Sequence, residues 1–173
     1  MPEGRFEIEV TAKDTLTKTG KDELTFLFTA NLGEPIRPLL KVASGGELSR
    51  VALAIKTVLL NASGVPTMVF DEIDTGVGGV TAQKMAEKIA VIAKVGQVLC
   101  ITHLPQIASF ADRHLLIRKE STGGRTSTGL TVLDEEGRIQ ELMRMTVGDN
   151  VSEVAYANAK ELLAADAKNK QAR

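Results

Sequence analysis

The first thirty residues alternate between apolar and polar side chains. Residues 5–12 and 23–30 both follow this two-residue period, and a glycine-containing turn at residues 19–22 lies between them. Because successive side chains of a strand point to opposite faces, the pattern predicts two antiparallel strands with one solvated face. Residues 31–38 contain two prolines and predict a loop.

A helical period replaces the alternation at Ser44. Ser44 and Glu47 have the spacing of a capping box, which predicts the start of a helix. The apolar residues that follow at three- and four-residue steps are Leu48, Val51, Ala52, Ile55, Val58 and Leu59. They predict a core-facing stripe on a helix that ends near residues 61–64. Gly45 and Gly46 form helices poorly, so their place in the first turn indicates either a simple cap or a backbone that a phosphate approaches.

Strands and helices alternate in the middle of the chain. Apolar runs at residues 67–70 and 97–102 predict strands buried on both faces of a parallel sheet. Residues 81–94 between them predict a helix that turns Ala82, Met85, Ala86, Ile89 and Ala93 toward the core. A short helix at residues 105–111 and a third strand at residues 113–119 complete a βαβαβ order. This order predicts right-handed crossovers in a mainly parallel sheet flanked by helices.

The last fifty residues are more polar. Residues 121–128 predict a mobile polar loop and residues 130–133 an edge strand. Helices are predicted at residues 138–145 and 152–165, the second capped by Ser152. The inward stripe of this last helix is predicted to be Val154, Ala155, Ala159, Leu162 and Leu163. Residues 166–173 are expected to fray.

Composition limits the possible functions. The chain has 173 residues, of which 43% are hydrophobic, enough for one core in one domain or one lobe of a larger domain. The net charge of −1 and the aromatic content of 3% give no support for a nucleic-acid surface on this chain. The single cysteine, Cys100, excludes an internal disulfide and fits a reducing cytoplasm. The absence of a long apolar run predicts a soluble protein with no membrane partner.

Acidic residues and a histidine follow the two predicted parallel strands. Asp71 and Glu72 come directly after residues 67–70, and His103 follows residues 97–102. Two adjacent carboxylates at a strand end are typical of a site where Asp71 holds Mg²⁺ and Glu72 activates a water that attacks a γ-phosphate. His103 would donate a hydrogen bond to that phosphate. A solvated turn and a structural histidine are the alternatives, and His114 is interpreted as structural.

Three motifs in this order resemble the RecN family of bacterial DNA-repair ATPases, which are related to structural-maintenance-of-chromosomes (SMC) proteins. The motifs occupy residues 38–50, 69–79 and 102–108, the last followed by residues 111–114, and the match runs from about residue 6 to residue 163. The resemblance implies an α/β fold, the C-terminal lobe of a P-loop NTPase head of the ABC/SMC type. It implies that Ser44, Gly45, Gly46 and Glu47 are the ATP-binding signature motif. It also implies that Asp71 and Glu72 end the Walker B strand and that His103 is the switch histidine.

The phosphate-binding loop of such an ATPase is absent from this sequence. No Gly-x-x-x-x-Gly-Lys-Ser/Thr motif occurs, because Gly20-Lys21 is followed by Asp22. In the RecN family this Walker A loop lies in an N-terminal segment beyond a coiled coil. The resemblance therefore implies a single partial domain over residues 1–173 that hydrolyses little ATP alone. Its implied partners are that N-terminal segment, a second head that dimerises with ATP, and DNA.

The resemblance also implies a cellular role and includes two departures from related ATPases. The role is recombinational repair of double-strand breaks in the SOS response, in the cytoplasm at the nucleoid. Ala43 and Glu47 stand where transporter ATPases usually carry Leu and Gln, which fits the chromosome-associated branch. Gly78 occupies the position of the usual D-loop aspartate, so that role is not assigned.

Three other functions compete with a repair ATPase. Ser44, Asp71 and His103 occur in the chain order of α/β-hydrolases, but Val42 stands where a nucleophile elbow needs glycine. A docking module in which residues 44–47 are only a helix cap is a non-enzymatic alternative. A transporter ATPase subunit is disfavoured by Glu47 and by Ile73-Asp74.

Overall fold

Strands and helices alternate along a computed structural model that describes residues 4–30, 33–42, 44–59, 66–122, 125–148, 150 and 152–171. The strands are β1 (Arg5–Thr17), β2 (Gly20–Thr29), β3 (Arg37–Pro38), β4 (Thr67–Phe70), β5 (Gln97–Cys100), β6 (Leu115–Thr122) and β7 (Arg125–Val132). The helices are α1 (Leu39–Val42), α2 (Gly45–Val58), α3 (Gly79–Ile92), α4 (Pro105–Ala108), α5 (Glu135–Val147) and α6 (Glu153–Gln171). Within these residues no helix is both long and apolar enough to cross a membrane.

The predicted N-terminal hairpin is confirmed, and it is longer than the alternation indicated. β1 and β2 pair antiparallel from Arg5 opposite Thr29 to Ala12 opposite Asp22, and β3 adds two residues beside β2. Directly opposed residues share a face, so the apolar positions of both strands lie together. The exposed members of this face are Phe6, Ile8, Val10, Leu24 and Phe26. Phe28 is the buried one, and it packs against α1 and α2.

The central sheet is parallel but shorter and less buried than predicted. β4 and β5 pair from Thr67 opposite Gln97 to Phe70 opposite Cys100. Met68 and Phe70 are buried in the main core, whereas Val69 and Leu99 are exposed. The prediction that both faces are buried is therefore wrong for this chain. The described helices cover one face only, and side chains that alternate across a strand cannot all reach it.

The predicted third parallel strand is wrong. β6 pairs antiparallel with β7, from Leu115 opposite Val132 to Thr122 opposite Arg125, and the two form a sheet of their own. Most of the predicted loop at residues 121–128 consequently belongs to strands, although residues 123–124 lie outside the described ones. An antiparallel partner close in sequence provides hydrogen bonds without a crossover, which explains this pairing.

Helix α2 begins as predicted but packs differently along its length. Ser44 is its N-cap, and both hydrogen bonds of the capping box are present. Val51 joins Phe28 in a small cluster, whereas Leu53, which lies outside the predicted stripe, joins the main core. Ala52 and Val58 are exposed. Because two separate clusters contact one helix, a single stripe does not describe its buried side. The predicted end at residues 61–64 lies outside the described residues.

The helix predicted at residues 81–94 is confirmed as α3. It starts at Gly79, two residues earlier than predicted, and its buried side includes Ala82, Met85 and Ala86. These side chains contribute to the main core together with Phe70 of β4. Helix α3 therefore covers the buried face of the parallel sheet.

The C-terminal helices form a second core with α4. Its buried members are Ala108, Ile139, Leu142, Met143, Ala155 and Ala159. The prediction that Val154 faces inward is wrong, since this side chain is exposed. Helix α6 continues to Gln171, and Asp166, the first residue of the tail that was expected to fray, is buried within it. The carboxylate of Asp166 accepts hydrogen bonds from Ser109 Oγ at 2.6 Å and Gln83 Nε2 at 3.0 Å.

Candidate functional site

The two parallel strands bring their carboxyl ends to one edge. Phe70 and Cys100 are opposite each other, and the Ile101 N–H donates to the Phe70 carbonyl at 2.9 Å. Asp71 follows the first strand directly, and His103 lies three residues beyond the end of the second. Residues 71–72 and His103, which were predicted from separate motifs, therefore lie on the same edge of the sheet. We call residues 44–47 and 71–72 together with His103 the polar rim.

The tip of α2 supplies the remaining part of the polar rim. The Ser44 N–H donates to Glu47 Oε2 at 2.8 Å, and the Glu47 N–H donates to Ser44 Oγ at 3.4 Å. The Ser44 hydroxyl also donates to Glu47 Oε2 at 3.0 Å. The Glu47 carboxylate thus holds the cap, while Ser44 remains exposed to solvent. The first N–H groups of a helix have no partner within it, so this tip favours an anion.

Gly45 and Gly46 lie against the turn that follows β4. A Cβ atom on Gly45 would stand 2.8 Å from Glu72 Oε2, and one on Gly46 would stand 2.9 Å from the Glu72 carbonyl oxygen. The space that a side chain would need at residue 46 is filled by backbone, which cannot move cheaply. The glycines therefore allow α2 to approach the chain's own turn, whereas the sequence pattern left open a simple cap or the approach of a phosphate. Glu72 itself has a φ of 56°, in the left-handed region that non-glycine residues seldom adopt.

Two side chains of α2 hold the same turn by hydrogen bonds. Ser49 Oγ donates to the Asp71 carbonyl at 2.9 Å. Arg50 Nη1 donates to the carbonyls of Ile73 at 3.2 Å and Thr75 at 2.8 Å. Sequence reasoning missed both residues, because neither belongs to the predicted core stripe. Their contacts join the N-terminal part of α2 to the acidic strand end.

Asp74 is the principal residue that the sequence reasoning missed. Its side chain is 2% exposed, and one oxygen, Oδ2, contacts three groups. The Thr102 hydroxyl donates to Oδ2 at 2.6 Å and the His103 backbone N–H at 2.9 Å. His103 Nδ1 lies 3.1 Å from the same oxygen. The His103 side chain is otherwise 71% exposed, so its ring is anchored at Nδ1 and open at Nε2.

The polar rim fits a nucleotide with a magnesium ion. Among the described residues no group of three or more His, Cys, Asp and Glu side chains could hold a metal ion by itself. Mg²⁺ in phosphate-transfer sites needs only one or two carboxylates, because water and the phosphates complete its shell. The exposed Asp71 meets this requirement. Burial, followed by the negative charges of Asp74 and Asp71, raises the pKa of Cys100 to about 12, which keeps the thiol neutral near physiological pH.

Comparisons with known proteins identify the family. The chain is 47% identical over 161 residues to the DNA repair protein RecN of Halalkalibacterium halodurans, covering 93% of this chain and 28% of that protein. It is 46% identical over 177 residues to RecN of Treponema pallidum, covering 99% of this chain and 31% of that protein. Over the matched residues, this chain belongs to the RecN family. The resemblance drawn from the three motifs is confirmed, and the chain spans less than a third of the length of these RecN relatives.

Solved structures share the fold of this chain at lower identity. The Smc head domain with a coiled coil and joint from Pyrococcus yayanosii superposes with a TM-score of 0.58 at 20% identity, over 84% of this chain and 26% of that one. A chain from work on ATP-driven dimerization and DNA-stimulated activation of SMC ATPases superposes with a TM-score of 0.50 at 21% identity, over 84% of this chain and 83% of that one. These likenesses confirm the predicted α/β lobe of an SMC-type head. No protein-family model matches the chain.

Proposed function

We propose that this chain is the C-terminal part of an ATP-binding and ATP-hydrolysing RecN head that acts in recombinational repair of DNA double-strand breaks. The observation that supports it most is the polar rim, where a capped helix tip, two acidic residues and a histidine share one edge of the parallel sheet. The proposal includes the SOS response and a cytoplasmic, nucleoid-associated location. DNA is engaged through the complete protein.

Each residue of the polar rim has a proposed role. Ser44, Gly45 and Gly46 present the N-terminus of α2 to the γ-phosphate, and Glu47 keeps Ser44 in the capping position. Asp71 holds Mg²⁺, which when bound neutralises charge on the β- and γ-phosphates. Glu72 orients and deprotonates the attacking water, and His103 donates a hydrogen bond from Nε2 to a γ-phosphate oxygen.

Two partners complete the proposed site. The first is the N-terminal segment of the same protein, which carries the Walker A loop. The exposed apolar faces of β1–β2 and β4–β5 support a partner of this kind, because monomers seldom leave large apolar patches uncovered. The second is another head, whose α2 tip contacts the nucleotide held by the first. The γ-phosphate then favours the closed dimer, and its hydrolysis releases the two heads.

A docking module remains the second candidate function, and a specific observation favours it. The close approach of the Glu72 turn explains Gly45 and Gly46, and the capping box explains Ser44 and Glu47. Neither explanation requires a ligand. In that case the heads would associate equally well with and without ATP.

The test introduces a charge at the helix tip through a residue type that itself favours the N-cap position. Asp and Asn both cap helices as well as Ser, so Ser44→Asp and Ser44→Asn differ mainly in charge. In the complete gene product we expect Ser44→Asp to abolish ATP-dependent dimerisation and Ser44→Asn to weaken it less. Size-exclusion chromatography with light scattering, with and without ATP, measures the effect. A Val58→Asp variant puts the same charge at an exposed site at the other end of α2 and should dimerise normally.

Turnover is tested separately from association. Glu72→Gln should abolish steady-state ATP hydrolysis and leave ATP-dependent dimers intact, because it removes the general base and not the phosphate contacts. Equal dimerisation of the Ser44→Asp and Ser44→Asn variants would support the docking function instead. The isolated chain of 173 residues should hydrolyse ATP at a small fraction of the rate of the complete protein.

A further inference from the structure

We propose that Asp74 is a positioning residue that keeps a proton on His103 Nδ1 and so directs Nε2 toward the polar rim. The inference rests on the proposed function, because it concerns how His103 reaches a phosphate. Asp74 itself stays behind the sheet edge and contacts no ligand.

The burial of Asp74 shows that its carboxylate faces protein. At 2% exposure it is among the least accessible ionisable groups of the described residues, and water cannot solvate it fully. A buried carboxylate needs hydrogen-bond donors, and those around Oδ2 all come from Thr102 and His103. The acidic turn after β4 is therefore joined to the segment after β5 through a single carboxylate oxygen.

The position of the imidazole ring follows from this arrangement. The backbone N–H and the ring Nδ1 of His103 both lie within 3.1 Å of Oδ2, which fixes the main chain and the ring against the same atom. An unprotonated Nδ1 would turn its lone pair toward a carboxylate, so the contact favours Nδ1–H. In histidine the hydrogen bond at one nitrogen sets the role of the other.

The charge of the ring changes when a phosphate binds. If Nε2–H donates to a phosphate oxygen while Nδ1 keeps its proton against Asp74, both ring nitrogens are protonated. His103 is then an imidazolium, and it brings a positive charge to the polar rim with Asp74 as its buried counterion. A His–Asp pair in which the acid orients the ring and stabilises its cation is established chemistry in serine proteases.

The turn that carries Asp74 also carries Glu72. Arg50 holds the carbonyls on both sides of Asp74, those of Ile73 and Thr75. A displacement of this turn would thus move the proposed general base and release the histidine together. Asp74 is the link that makes the position of His103 depend on the position of the Glu72 turn.

Nitrogen-15 NMR of histidine-labelled complete protein tests the inference directly. The His103 signals are assigned by their loss in His103→Gln. At a pH at which the ring is neutral, we expect the protonated type of ¹⁵N shift at Nδ1 and the unprotonated type at Nε2. With Mg²⁺ and a non-hydrolysable ATP analogue at neutral pH, both nitrogens should show the protonated type. An unprotonated Nδ1 in the neutral wild-type ring would overturn the inference, and this result needs no variant to fold.

Asp74→Asn and a matched variant supply the functional readout. We expect Asp74→Asn to lose the Nδ1–H tautomer and to lower kcat about tenfold to a hundredfold, with KM changed less than about threefold. Asp166→Asn makes the same change at an equally buried carboxylate that also accepts from a hydroxyl, yet it has no role at the polar rim. It should keep the wild-type tautomer of His103 and the wild-type kcat, at a thermal stability similar to that of Asp74→Asn. Equal losses of kcat in both variants would overturn the inference.

The failure of the inference is distinguishable from failure of the proposed function. An active wild-type ATPase whose His103 carries its neutral-form proton on Nε2 contradicts the role of Asp74 alone. A complete protein that neither binds nor hydrolyses ATP contradicts the proposed function, whatever the tautomer of His103.

Discussion

The helical side and the sheet side of this molecule differ in how completely they are packed. Around α3 to α6 the apolar side chains are enclosed, and Ile73, Ile92 and Leu142 have almost no exposed surface. On the sheets, by contrast, the β1–β2, β4–β5 and β6–β7 pairs each present apolar side chains to solvent among the described residues. The helical side therefore provides most of the stability of this chain. The sheet side retains exposed apolar surface.

The largest expected effect of a single substitution lies in the helical core. Leu142 is 0% exposed, and Leu142→Ala should lower the free energy of unfolding by about 3 kcal/mol, because it removes buried methyl groups and leaves a cavity. The matched change Leu130→Ala, at 61% exposure on β7, should cost less than about 0.5 kcal/mol. Urea denaturation followed by circular dichroism measures both. Similar losses for the two variants would show that the sheet side is as well packed as the helices.

A smaller loss is expected at the buried carboxylate of α6. Asp166→Ala leaves Ser109 and Gln83 without the acceptor that they share, which should cost about 1–3 kcal/mol. The exposed Glu161 on the same helix is the control, and Glu161→Ala should change stability by less than about 0.5 kcal/mol. If the two variants melt at the same temperature, the C-terminal part of α6 does not pack against α3 and α4.

The pH dependence of stability should reveal His114 on the helical side. Burial, and then the positive charge of Arg138, lower the pKa of His114 below its ordinary value of 6.5, while Glu141 opposes the shift. The unfolded chain then binds this proton at a higher pH than the folded chain, so stability decreases as the pH falls below about 6.5. His114→Asn should flatten this decrease in urea titrations between pH 7.5 and 5.5. An unchanged slope would exclude His114 as its source.

Stability should decrease again in a second, more acidic pH range, which is set by Glu141. A hydrogen bond from Arg144 holds the pKa of Glu141 below its ordinary value of 4.5, against the effect of burial. Its contribution to stability is therefore present above pH 4.5 and is lost only as the pH falls further. His114→Asn should leave most of this lower window in place, because the hydrogen bond from Arg144 is the largest cause of the shift and His114 a smaller one, while Glu141→Gln should remove the window.

The smallest effect is expected on the sheet side. Ile8→Ser on β1 should change the stability of this chain by less than about 0.5 kcal/mol, because the side chain is exposed. The same variant should bind less of the dye ANS, which reports exposed apolar surface. In the complete gene product, a large loss of stability from Ile8→Ser would show that another segment covers this face. A negligible loss there would show that the face stays open.

Local patterns predicted most elements correctly. The alternation of residues 5–12 and 23–30 predicted the hairpin, and the spacing of Ser44 and Glu47 predicted the cap of α2. Both signals depend on neighbours within a few residues. The third parallel strand was wrong because the same apolar run suits a parallel or an antiparallel partner. Only the position of β7 distinguishes the two.

Burial and polar partners were less predictable. Leu53 is buried, whereas Ala52 and Val58, which were expected to be buried, are exposed. The reason is that α2 contacts two clusters that lie in different directions. Asp166 was assigned to a frayed tail, since nothing near it in sequence indicates partners at Ser109 and Gln83. The anchoring role of Asp74 was not predicted, because its donors lie 28 and 29 residues away along the chain.

The amino-acid sequence alone determined the type and approximate position of most helices and strands, which residues carry candidate chemistry, and which family the chain resembles. Those properties follow from hydrogen bonds and periodicities that close over a few residues. The tertiary structure decided that Glu72 fills the space beside Gly45 and Gly46, that Asp74 anchors His103, and that three sheets keep an apolar face open. These outcomes depend on contacts between elements far apart in the chain, whose geometry no local pattern contains.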